Sequence, residues 1–160
     1  MSRVLKVGIS LSLAATFLAG TQAGAQLADK KVLTLAAAKK MAAAAEAEAA
    51  KNNWRVVIAI VDDGGHLLYL QRTDETQIGS IDIAVGKAQT SVALKRPTKA
   101  VEDIIANGRN AFLGVKGVTP LQGGLPVMVD NKLVGAIGVS GVTSQQDEQI
   151  AKAGLEALVR

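Results

Sequence analysis

Two pairs of strand-length apolar runs, each pair joined by a short polar turn, constrain the fold of this chain most. Residues 54–61 are apolar and β-branched, Asp62-Asp63-Gly64-Gly65 supplies turn chemistry, and residues 66–72 resume a strand pattern. Residues 125–129 and 133–139 repeat the arrangement across Asp130-Asn131-Lys132. Short turns join antiparallel neighbours, so two hairpins predict a mainly antiparallel sheet.

Helical patterns fill the intervals. Residues 35–52 are rich in Ala, Lys, Met and Glu, Thr34 is placed to cap them, and Leu35, Ala38, Met41, Ala42, Ala45 and Ala49 form a stripe of mostly small residues. Residues 78–94 carry Ile81, Val85, Ala88 and Val92 on one face before Pro97 closes the segment, and Thr98 introduces a shorter helix at 99–107. A Gly-rich connection spans 108–124, and Ser144 begins a last helix with Asp147 and Glu148 in its first turn. The order helix, hairpin, helices, hairpin, helix indicates an α+β domain with helices packed on an antiparallel sheet.

The first 25 residues have a separate character. Arg3 and Lys6 precede an apolar run, residues 7–19, and small residues end at Ala23-Gly24-Ala25, the layout of a secretory signal peptide. The apolar run is shorter than the roughly 18 to 20 residues that cross a bilayer, which leaves a cleaved leader and a single domain at 26–160, periplasmic or secreted, with no membrane span. Cleavage removes two positive charges and no negative ones, lowering the formal net charge from +4 to +2. Scattered Lys and Arg, with two Phe, one Tyr and one Trp, give no nucleic-acid footprint. The absence of Cys excludes disulfides, thiolate metal sites and thiol nucleophiles.

Few residues are left to carry chemistry. No phosphate-loop or dinucleotide motif is present, although Gly123 and Gly124 sit in a cluster of glycines that serves either close backbone packing or a flat ligand laid against main chain. His66 is the only histidine. Beside Gly64-Gly65 it suits a single axial ligand to a haem iron, a lone acid/base group, or a hairpin residue bonded to backbone. Asp62, Asp63, Asp74 and Glu75 match no cation-binding loop and read as turn and surface residues. Arg72 and Lys87 each lie inside a patterned element and could meet a ligand carboxylate, or an internal partner such as Asp74 or Asp82.

Several strings then carry a family resemblance: Val61-Asp62-Asp63-Gly64-Gly65-His66-Leu67, Lys87-Ala88-Gln89-Thr90, Gly123-Gly124-Leu125-Pro126-Val127, and Gly135-Ala136-Ile137-Gly138-Val139-Ser140-Gly141 followed by Gln146-Asp147. Taken in order, the set resembles the GlcG/HbpS family of haem-binding and haem-degrading-type proteins, which is similar to the C-terminal domain accompanying a corrinoid adenosyltransferase. The resemblance implies a profilin-like α/β fold with a five-stranded antiparallel sheet, a homo-oligomer, haem or a related tetrapyrrole as cofactor, and, for exported members, a sensor-protein partner. His66 is the matching position for an iron ligand. Asn131 stands where many relatives have Gly in the hairpin turn, and Asn also accepts the left-handed conformation that such a turn requires.

The expectation is therefore an exported haem- or tetrapyrrole-binding protein for uptake, buffering or sensing, with His66, Arg72, Lys87, Gly123 and Gly124 as the binding residues. The alternatives are an enzyme or accessory protein acting on a small carboxylic-acid or diol-derived metabolite, with Arg72 or Lys87 holding the carboxylate and His66 as acid/base, and an assembly module without a ligand.

Overall fold

A computed structural model of the chain describes residues 27–159; the expected leader at 1–25 lies outside the described residues. The first helix, α1, spans Leu35–Lys51, and the Thr34 side chain caps it by accepting the Ala37 N–H at 3.2 Å. Strands β1 (Val57–Asp62) and β2 (Leu67–Arg72) form the first hairpin, α2 (Ser80–Leu94) and α3 (Thr98–Ala106) follow, and β3 (Gly124–Val129) pairs with β4 (Lys132–Ser140) before α4 (Ser144–Val159).

The strand order is β2-β1-β4-β3, antiparallel throughout. Both hairpin turns lie at one end of the sheet, because Asp62 is in register with Gly135 and Val57 with Ser140. Among the described residues four strands stand against the five implied by the family resemblance. Before β3 begins at Gly124 the connection supplies none, since positive φ at Gly108, Gly117 and Gly123 and a 3-10 turn at Asn110–Gly114 prevent an extended run.

Period-two alternation gives the sheet two buried faces. Val56, Ile58, Ile60, Ile137 and Val139 pack beneath α1 and α4, whereas Val57, Ala59, Val61 and Ala136 meet α2 on the other side. Small residues set the spacing on both sides. A Cβ at Gly138 would lie 2.1 Å from the Ala84 carbonyl oxygen, and one at its cross-strand partner Gly124 would lie 2.4 Å from that of Lys87, so the backbone of α2 rests directly on this glycine pair. On the opposite face α4 approaches α1 at Gly154, where a Cβ would sit 3.1 Å from the Met41 carbonyl.

The second hairpin turns through Asp130 and Asn131 with φ of 49° and 58°, the two left-handed residues of a type I′ turn. Asn131 thus supports the turn without a glycine. Pro126 lies on edge strand β3, where a missing N–H is tolerated.

Candidate functional site

The first hairpin is organised by one carboxylate. Asp62 Oδ1 accepts the backbone N–H groups of Gly64 and His66, both at 2.9 Å, while Gly65 takes a φ of 82° to close the loop. These bonds, that of His66 foremost, hold the Asp62 carboxyl below its usual range, so it is ionised at neutral pH. The same Oδ1 lies 3.4 Å from His66 Nδ1. The His66 ring leans over Gly64, where a Cβ would be 2.8 Å from Nδ1; glycine there makes room for the imidazole.

This arrangement has a defined chemical consequence. An ionised carboxylate beside Nδ1 favours the tautomer protonated on that nitrogen and leaves the Nε2 lone pair for an electrophile or metal ion, the pattern by which a carboxylate orients a histidine ligand. The His66 side chain is 83% exposed, so an incoming group reaches it without rearrangement. The donor set therefore fits a haem iron held through one imidazole. Among the described residues there is no cluster of three or more His, Asp or Glu able to hold a metal ion by itself.

A groove of about 370 Å³ opens next to this hairpin, lined by Gly64 and Gly65, by Val92, Lys95 and Gln89 of α2 and its C-terminus, and by Leu133 of β4. Gln89 Nε2 donates to the Gly65 carbonyl at 3.1 Å and ties the hairpin to the helix.

The other expected site residues stand elsewhere. Lys87 is buried, with Nζ donating to Asp147 Oδ2 at 2.7 Å and to the Val139 carbonyl at 2.9 Å, so its internal partner is neither Asp74 nor Asp82. Gly123 packs on this pair: with φ of 125°, its Cβ position is 2.8 Å from Asp147 Cβ and 2.9 Å from Lys87 Nζ. Gly124 faces the α2 backbone, and Thr98 Oγ1 accepts its N–H at 2.9 Å. Arg72 is exposed at the far end of β2 from His66, six residues and about 20 Å away at ~3.3 Å per residue. Lys87, Gly123 and Gly124 are thus brought together, while His66 and Arg72 lie at separate places.

Asp147 and Asp62 were the residues least visible as partners. Burial pushes the Asp147 carboxyl up, opposed by the Lys87 ammonium and by backbone N–H groups including that of Val142. Its position in the first turn of α4 reads equally well as a dipole partner, and only the Gln146-Asp147 string of the resemblance singled it out. The position of Asp62 four residues before His66 was visible, but not that one oxygen serves two amides and the imidazole.

The comparisons agree on one family. The family model described as Haem degrading protein HbpS-like matches residues 33–156. Protein GlcG of Escherichia coli K12 is 45% identical over 111 residues, covering 69% of this chain and 83% of GlcG. Among solved structures, a double mutant of Streptomyces reticuli HbpS superposes with a TM-score of 0.79 at 34% identity, covering 94% of this chain and 99% of that one. A PduOC:heme complex gives a TM-score of 0.73 at 28% identity, covering 79% of this chain and 95% of that one. The fold, the extent of the sequence match and these likenesses together establish that the chain belongs to the HbpS-like haem-degrading protein family.

Proposed function

We propose that this chain is an exported haem-binding protein, periplasmic or secreted, whose iron ligand is His66. The observation that carries the reading is the Asp62–His66 pair: an ionised carboxylate 3.4 Å from Nδ1 on an exposed imidazole whose Nε2 is left for a metal. The heme complex of PduOC, 28% identical to this chain, supports haem as the ligand. Export rests on the leader pattern of residues 1–25, and among the described residues no helix is long and apolar enough to cross a membrane.

In this role the protein supplies positioning rather than bond-making. Asp62 orients the imidazole, the Gly64-Gly65 turn keeps side chains out of its path, and His66 Nε2 would hold a haem iron, whose redox and ligand chemistry would be the cofactor's own. Uptake, buffering or sensing would each use the same reversible capture. A small-metabolite enzyme is less well supported, because Lys87 is engaged internally and Arg72 is remote from His66.

Titration of the chain comprising residues 26–160 with hemin tests the reading. A saturable Soret shift that is lost or strongly altered in His66→Ala is expected. No shift in the unsubstituted protein removes the function, and a shift unchanged in His66→Ala removes the ligand.

A further inference from the structure

We propose that the groove beside the β1–β2 hairpin seats the face of an anionic tetrapyrrole and that Lys95 takes one of its carboxylates, an inference that rests on the haem-binding reading. His66 leans over Gly64, and Gly64 with Gly65 forms one wall of the groove, so the imidazole and the groove are neighbours on the same hairpin although His66 does not itself line it. Leu133 supplies apolar surface for a macrocycle above the buried Val92, and the glycines let it approach main chain.

Charge distinguishes Lys95 from the other candidate cations. The carboxylate lining the groove, Asp63, is paired with Lys30, and no carboxylate partner of Lys95 is found among the described residues, so its ammonium is left for a ligand. Lys87 by contrast is consumed by Asp147. The position of Lys95 is also fixed. It ends α2 in the left-handed conformation, φ 50° and ψ 41°, with its N–H bonded to the Ser91 and Val92 carbonyls, at a place where helices commonly use glycine. A long cationic side chain there projects from a rigid point beyond Gln89, the residue that ties α2 to the hairpin, about 9 Å further along the helix axis.

The test compares hemin with hemin dimethyl ester, whose carboxylates are blocked, on the wild-type chain, Lys95→Met and Arg72→Met, with circular dichroism to establish folding. Lys95→Met is expected to weaken hemin about tenfold, leave the ester unchanged and remain folded, while Arg72→Met changes neither. Hemin binding of wild-type strength in Lys95→Met, or an equal loss for hemin and ester, overturns the assignment of Lys95 while leaving haem binding intact. Failure of hemin to bind the wild-type chain overturns the haem reading and this inference with it.

Discussion

Lys87 Nζ and Asp147 Oδ2 meet at 2.7 Å with side chains only 2% and 3% exposed, joining the middle of α2 to the first turn of α4 across the end of β4. A buried ion pair is weak evidence of net stability, but removing one partner strands the other charge. Lys87→Met is therefore expected to cost about 3–5 kcal/mol, lowering Tm by roughly 10 °C or more, and the double variant Lys87→Met/Asp147→Leu to cost less than the two single changes added together. Urea denaturation reads both quantities; strict additivity would show that the two side chains do not depend on each other.

The same pair gives a pH dependence of defined sign. Burial already pushes the Asp147 carboxyl up, and loss of the Lys87 ammonium pushes it further in the same direction. A carboxyl whose folded pKa exceeds its unfolded value favours the folded state when protonated, so that contribution is lost as pH rises through the folded pKa. The deficit of Lys87→Met relative to wild type should consequently be smaller at pH 4.5 than at pH 8. A deficit independent of pH would mean that Asp147 does not carry the stranded charge.

Gly138→Ala probes the other contact made by α2. The added methyl would come within 2.1 Å of the Ala84 carbonyl and 2.6 Å of the Ala88 nitrogen, atoms of helix backbone that cannot turn aside. Overpacking of this kind costs about 1–3 kcal/mol, and here a whole helix must lift, so the upper end is expected. Thermal melts of Gly138→Ala and of Gly114→Ala, where a Cβ meets nothing within 4 Å, provide the contrast.

Much of this was legible from residue pattern. The apolar, β-branched runs at residues 54–61 and 133–139 identified the central strands, and the Ala-rich stripe of α1 identified a closely packed helix, because both signals depend on local composition and side-chain size. The glycines were visible, and close backbone packing was one of their two readings, but what they pack against was not. Gly124 and Gly138 are 14 residues apart, and only the β3–β4 register makes them a paired seat for α2. The same limit hid the partner of Lys87, which lies 60 residues away. Asp62 and His66, four residues apart on one hairpin, were the part of the candidate site closest to being readable, while nothing in the local pattern marks Lys95, because the groove it lines is built from three separate elements.

Asn131 supplies a turn prediction. With positive φ at both Asp130 and Asn131, substitution by glycine keeps the turn accessible, whereas alanine lacks the tolerance of Asn for the left-handed region. Asn131→Gly should lie within about 0.5 kcal/mol of wild type and Asn131→Ala should be destabilised by about 1 kcal/mol in urea. Equal stabilities would indicate that the turn relaxes to another type.

Asp62 separates a structural from a ligand-orienting contribution. Its carboxylate accepts two backbone N–H groups and stands beside Nδ1 of His66, and the amide bonds keep its folded pKa depressed. A depressed carboxyl pKa contributes stability that is present above the unfolded value of about 3.9 and is lost as pH falls towards and through the folded value. Asp62→Asn retains an oxygen acceptor for the amides but not the charge, so it should stay folded while its stability gap to wild type narrows as pH falls below about 5 and through the folded pKa. Hemin affinity at pH 7 should fall about tenfold in Asp62→Asn, in line with the loss of a partner that orients a metal-binding histidine. Combined with His66→Ala, the Asp62→Asn change should have no further effect on hemin, since the carboxylate acts through the imidazole. An additional loss in the double variant would show instead that Asp62 touches the ligand independently of His66.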